Sequence, residues 1–141
     1  RAAGADCILL IAAMLEKHQL DALAERAREL GLAVLLEVHN RAEFAAACES
    51  GAELIGINNR DLHTFKTDIA TTSELLRGYV GNALIVSESG IETPQHIRRL
   101  YADGARAFLL GESLLRGGTP RAALSTLTGV MVGQDAELAS R

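Results

Sequence analysis

Five short apolar runs constrain this chain more than any other feature: DCILLI at 6–11, AVLLEV at 33–38, LIGIN at 54–58, ALIVSES at 83–89 and RAFLLG at 106–111. None alternates apolar with polar, as a strand with one wet face would. Each therefore reads as a strand buried on both faces, the pattern of parallel sheets. Between the runs the period changes to that of a helix. Leu20, Leu23, Ala24, Ala27 and Leu30 fall on one face of LDALAERAREL, flanked by Glu25, Arg26, Arg28 and Glu29. Helices thus alternate with strands.

The punctuation agrees with that reading. Asn40 with Glu43 three residues on is a capping-box arrangement, and Thr93-Pro94 and Thr119-Pro120 each place a cap before a proline at the first helical position. Gly4, Gly31, Gly51, Gly81 and Gly104 precede the strands, where a glycine can end a helix in the left-handed conformation. They are separated by 27, 20, 30 and 23 residues, each the length of a strand, a helix and two short loops.

Five parallel βα units fit an open doubly wound sheet or part of a closed barrel. The first would carry a GxGxxG fingerprint after an early strand, and none occurs. The second gains from polar residues that collect at the C-terminal ends of several strands, where barrels keep their chemistry. The expected class is α/β: an incomplete TIM (β/α)8 barrel over 1–128, lacking about the first three βα units. The opening RAAGAD has neither an initiator methionine nor a signal-peptide pattern, so the chain reads as processed or as starting inside a larger unit. The tail, 129–141, has glycines and no clear period and is expected to be partly disordered.

A formal net charge of -4, with both signs mixed along the chain, argues against nucleic acid or an anionic membrane as partner, since each would want a basic face. A small molecule is the better expectation. No apolar run reaches the ~20 residues of a membrane helix. Cys7 and Cys48 lack metal or CxxC spacing and read as two buried thiols in a reducing cytoplasm.

The strand ends carry the candidate chemistry. Glu37 follows four apolar residues, and its desolvation would cost several kcal/mol unless it is paired or faces a polar cavity. It either serves a reaction or bridges to an arginine on a neighbouring strand. His39 reads as a loop residue or a contact to the working groups. Asn58 ends the next strand and offers a directional amide, with Asn59, then Arg60 for a carboxylate or phosphate, and Asp61. These types also serve to close a tight loop on itself. In LIVSESGI, alternation puts Ser87 and Ser89 on one side and Glu88 on the other, while Gly90 lets a ligand approach the backbone. Gly111, Glu112 and Ser113 end the last strand. Backbone N–H groups in these last two loops are the usual barrel phosphate site.

Taken in order and at these spacings, LLEVHN, LIGINNRDL, IVSESGI and FLLGESLL resemble indole-3-glycerol-phosphate synthase, a decarboxylating, ring-closing carbon–carbon lyase of tryptophan biosynthesis, from about Gly4 to Leu124. The resemblance implies a general base at Glu37, a catalytic asparagine at Asn58 and substrate contacts from Arg60, Glu88 and Ser89. It also implies phosphate binding by Ser89, Gly90, Gly111 and the N–H of Glu112, with Leu9 and Leu109 against the aromatic ring. The implied substrate is the phosphorylated anthranilate derivative 1-(2-carboxyphenylamino)-1-deoxyribulose 5-phosphate, handled without metal or organic cofactor. The family's catalytic lysines, one of them the general acid, sit on strands upstream of those seen here. The only lysines present, Lys17 and Lys66, fall at no strand end. Two alternatives remain: another phosphate-binding barrel, such as a sugar-phosphate isomerase or aldolase, and a non-catalytic half-barrel that covers its edges with the missing N-terminal segment or by self-association.

Overall fold

A computed structural model describes residues 3–116 and 119–138. Five strands, β1 (Cys7–Ile11), β2 (Ala33–Val38), β3 (Leu54–Asn58), β4 (Leu84–Glu88) and β5 (Ala107–Leu109), form one sheet in that order, every neighbouring pair parallel. The order in space is the order in the chain, with none of the reversal that defines a doubly wound sheet. The sheet is a wedge of a (β/α)8 barrel, as expected from the runs. Its helices are α1 (Lys17–Glu29), α2 (Arg41–Glu49), α3 (Ala70–Leu76), α4 (Pro94–Asp103), α5 (Glu112–Leu115) and α6 (Pro120–Leu138).

Register sorts the strand residues onto two faces. Leu10, Leu36, Ile55 and Ile85 pair across the sheet, as do Ile57, Ser87 and Phe108 one step on. This face meets Phe44, Ala47, Leu75, Leu76, Ile97 and Leu100 from α2, α3 and α4, and Ile55 and Ile57 are 0% exposed. Each such side chain contributes about 1.5–3 kcal/mol by leaving water. The alternate residues form the other face, in the rows Leu9–Leu35, Ile11–Glu37–Gly56–Val86–Ala107 and Asn58–Glu88–Leu109. No described residue covers the rims of that face: Leu9 is 48%, Leu84 44% and Leu109 54% exposed. The strands are therefore not sandwiched on both sides; helices cover one face, and the second is the face a closed barrel turns inward.

Several local expectations shift. Asn40 caps α2 by accepting from Glu43 N at 3.0 Å, but the Glu43 carboxylate accepts from His39 N at 2.8 Å rather than closing the box on Asn40 N. Thr93 and Thr119 do cap, accepting from His96 N and Ala122 N. The left-handed residue after α3 is Gly78, not Gly81. Leu23 is 42% exposed because α1 turns mainly Leu20, Ala24 and Ala27 inward. Both cysteines are free and exposed, not buried: Cys7 opens β1 on the uncovered face, and Cys48 lies on the flank of α2. The tail read as 129–141 falls partly on α6, and 139–141 lie outside the described residues.

Candidate active site

At the carboxyl end of the uncovered face two carboxyl groups are buried: Glu37 is 5% and Glu88 3% exposed. They sit on β2 and β4 with Gly56 of β3 between them, and the absence of a side chain there is what admits Glu88. A Cβ on Gly56 would stand 1.9 Å from Glu88 Oε1. Among the described residues no lysine or arginine pairs with either group, so the arginine bridge considered for Glu37 is absent here. His39 Nε2 stands 3.1 Å from Glu37 Oε1, but out of line for a hydrogen bond, and its Nδ1 is 3.3 Å from Glu43 Oε2. Glu88 Oε1 has no hydrogen-bond partner. Burial first, then the charge of Glu37 and a hydrogen bond with it, push the Glu88 carboxyl up from 4.5 to about 8. Glu88 thus keeps its proton at neutral pH.

The loop after β3 uses its polar residues in opposite directions. Asn58, in register with Glu88, accepts from Arg60 N at 3.0 Å. Asn59 turns into the protein and is 2% exposed, bonded to Ser87 Oγ and to Thr72 behind the sheet. Asp61 closes the loop on itself, accepting from His63 N, Thr64 N and Thr64 Oγ1, and these bonds hold its carboxyl below the usual range. Its place is in the loop's own turn.

Beside the carboxyl pair lies a cleft of about 520 Å³ lined by Arg60, Ser89, Gly90, Gly111, Glu112 and Arg116, among others. Ser89 and Gly90 are consecutive left-handed residues, at φ 64° and 72°. For serine that conformation costs about 1–2 kcal/mol. It also breaks the alternation that would put Ser87 and Ser89 on one side: Ser87 is buried under the helices, whereas Ser89 reaches the cleft. Gly90 has no room for a side chain, since a Cβ would meet Thr67 Cγ2 at 2.3 Å. Arg60 Nη2 lies 2.6 Å from Glu112 Oε2, Arg116 bonds the other oxygen of Glu112, and Arg116 Nη1 reaches Glu92 Oε1 at 3.2 Å. The Arg60 and Arg116 guanidinium groups keep the Glu112 carboxyl below its usual range.

Thus Ser89, Gly90, Gly111, Glu112 and Arg60 come together in one cleft, Glu37 and Glu88 in one buried pair, and Leu9 and Leu109 remain exposed on the same sheet face. Asn58 lines a separate small cavity of about 180 Å³ with His39, Asn59, Asp61 and Lys66. Sequence reasoning missed Gly56, although a glycine inside a strand signals close approach of another group. It also missed Arg116, four residues after Glu112 and so on its side of a helical turn. Among the described residues no group of three or more His, Cys, Asp or Glu is arranged to hold a metal ion. No helix among them is long and apolar enough to cross a membrane.

Comparison with solved structures places this wedge among barrels. The 3-hexulose-6-phosphate synthase of Salmonella typhimurium superposes with a TM-score of 0.76 at 16% identity, over 94% of this chain and 64% of that one. Orotidine 5'-monophosphate decarboxylase from Sulfolobus solfataricus gives 0.69 at 16% identity, over 94% and 64%. At that identity the likeness speaks for the fold alone. Sequence relatives are nearer. Indole-3-glycerol phosphate synthases of Chromobacterium violaceum and Magnetococcus marinus are 50% and 49% identical over 127 and 129 residues, covering 90% and 92% of this chain. The chain spans 48% of the length of each, about half of the curated relatives it matches. The family profile for indole-3-glycerol phosphate synthase matches residues 1–127. With the paired carboxyls, the INNRDL loop and the glycine-edged cleft all within that match, the chain belongs to the indole-3-glycerol phosphate synthase family.

Proposed function

We propose that the protein containing this chain is a cytoplasmic indole-3-glycerol-phosphate synthase. It closes the indole ring of 1-(2-carboxyphenylamino)-1-deoxyribulose 5-phosphate with loss of carbon dioxide and water. The observation that carries this reading is the buried Glu37–Glu88 pair set beside a cleft edged by Ser89, Gly90 and Gly111. Glu37 is the base that takes a proton as the ring becomes aromatic, and Asn58 orients the reacting carbonyl. Glu88, neutral at physiological pH, donates a hydrogen bond where an ionised neighbour would repel the substrate's anions. The phosphate occupies the cleft, held by N–H groups of Gly90, Gly111 and Glu112 and by the Ser89 hydroxyl. Arg60 exchanges its bond with Glu112 for the substrate. Leu9 and Leu109 give the aromatic ring an apolar wall.

The general acid comes from elsewhere in the barrel. Lys17 is an exposed residue of α1 paired with Asp21 at 2.8 Å, and Lys66 lies in the exposed loop after β3. General acid–base catalysis contributes about 10²–10⁴-fold, so this chain alone binds substrate weakly and turns over little. The test is an indole-fluorescence assay on the full-length protein. Indole-3-glycerol phosphate should form with one carbon dioxide per turnover, and Glu37→Gln should lower kcat by about 10²–10⁴-fold with a smaller change in KM. Equal turnover by Glu37→Gln would overturn the assignment of the base. Absence of product from the parent would overturn the activity.

A further inference from the structure

The cleft depends on a residue that does not line it. Asn59 is 2% exposed, and its carboxamide uses all of its hydrogen-bonding capacity. Nδ2 donates to Ser87 Oγ at 3.0 Å and to the Ser89 carbonyl at 3.1 Å, while Oδ1 accepts from Thr72 N at 3.1 Å and Thr72 Oγ1 at 2.8 Å. A backbone N–H can only donate and a carbonyl can only accept, so Thr72 and Ser89 fix which way the amide points. The Asn59 main chain adds to this, its N donating to the Glu88 carbonyl at 2.9 Å and its carbonyl accepting from Asp68 N at 2.9 Å. One residue therefore grips Ser87, Glu88 and Ser89 from the loop after β3 and anchors them to α3 through Thr72.

Ser89 is one of two non-glycine residues at positive φ among those described, the other being Phe65. Serine does not hold that conformation unaided, and the bond from Asn59 to the Ser89 carbonyl lies on the peptide that joins Ser89 to Gly90. We propose that Asn59 is a positioning residue for the phosphate site: its carboxamide locks the left-handed Ser89–Gly90 turn in the shape that receives the anion. The adjacent asparagines divide the labour. Asn58 serves the face where the carboxyl groups lie, and Asn59 braces the turn from behind.

This inference rests on the phosphate reading of the cleft, and the experiment separates the two. In the full-length protein, inhibition by inorganic phosphate, KM and kcat are measured for the parent, Asn59→Ala, Ser89→Gly and the double variant. Asn59→Ala should weaken phosphate inhibition and raise KM by about tenfold or more, the scale of losing buried hydrogen bonds, with a smaller effect on kcat. Glycine adopts the left-handed turn without strain, so in the Ser89→Gly background the added loss should fall below about threefold. Where Asn59→Ala does not fold, Asn59→Ser, too short to span Ser87 and Ser89, is read in the same way. A lower melting point with phosphate inhibition and KM unchanged would overturn the role of Asn59, as would an equal loss in both Ser89 backgrounds. A parent that phosphate does not inhibit would overturn the phosphate site and this role with it.

Discussion

The two faces of the sheet are built from the same five strands, one residue apart, and they obey different rules. On the helix-covered face Leu36, Ile55, Ile57 and Ile85 are sealed, and Ser87, the polar exception, is bonded to Asn59 and Thr72. On the other face exposed Leu9 and Leu109 stand at the rims, and two carboxyl groups crowd over a glycine, one oxygen without a partner. The first face satisfies every requirement of a stable interior. The second violates them at the places where chemistry is proposed, as expected when function is set against stability. Parity along a strand thus separates residues that hold the fold from residues that use it.

The largest test of that division is Ile57→Ala. It leaves a cavity under α2 and α3 and should destabilise the protein by about 2–5 kcal/mol. Thermal unfolding should record the loss, while kcat and KM of the folded fraction stay within about twofold of the parent. A large fall in kcat at full folding would mean that the faces are not separable.

Much of this organisation was legible, for identifiable reasons. β2 and β3 begin and end where AVLLEV and LIGIN do, because runs of buried β-branched and leucine residues between glycines leave few other choices. The faces were harder. A run apolar on both sides carries no alternation, so sequence could not say which of Ile55 and Gly56 meets the helices. Asn58 and Asn59 had to point apart, but only Thr72 and Ser87, distant in sequence, decide which one turns inward. At Ser89 alternation itself fails, since a positive φ rotates the chain out of the strand pattern. Gly56 was hidden inside an apolar run, although its lack of a side chain is what brings Glu88 into place.

Gly56→Ala sharpens the comparison from within the uncovered face. The new Cβ would lie 1.9 Å from Glu88 Oε1, 3.0 Å from its Cδ and 3.2 Å from Leu35 Cδ1, so the Glu88 carboxyl must move. The expected cost is about 1–3 kcal/mol, less than for Ile57→Ala, but with a fall in kcat that the covered-face variant does not show. If the effect runs through Glu88, it should largely vanish in a Glu88→Ala background, a coupling of about 0.5–3 kcal/mol in a double-mutant cycle. Strict additivity would show that Gly56 matters to packing alone.

The smallest effect on kcat at neutral pH belongs to Glu88→Gln, because an amide copies the shape and polarity of the protonated acid. Its value lies in the pH dependence. Burial, with Glu37 beside it, raises the Glu88 carboxyl from 4.5 to about 8, so the folded protein binds this proton more tightly than the unfolded chain does. Stability from this group is therefore unreduced below about 4.5 and is progressively lost as pH rises toward about 8. Glu88→Gln removes that loss: its unfolding midpoint should match the parent's near pH 4 and exceed it near pH 8. Equal slopes for parent and variant would show that Glu88 does not hold its proton. Ile57→Ala, in contrast, should shift the whole curve down without changing its slope, because no titrating group is touched. A slope from one face and an offset from the other is the signature that stability and chemistry are divided by strand parity.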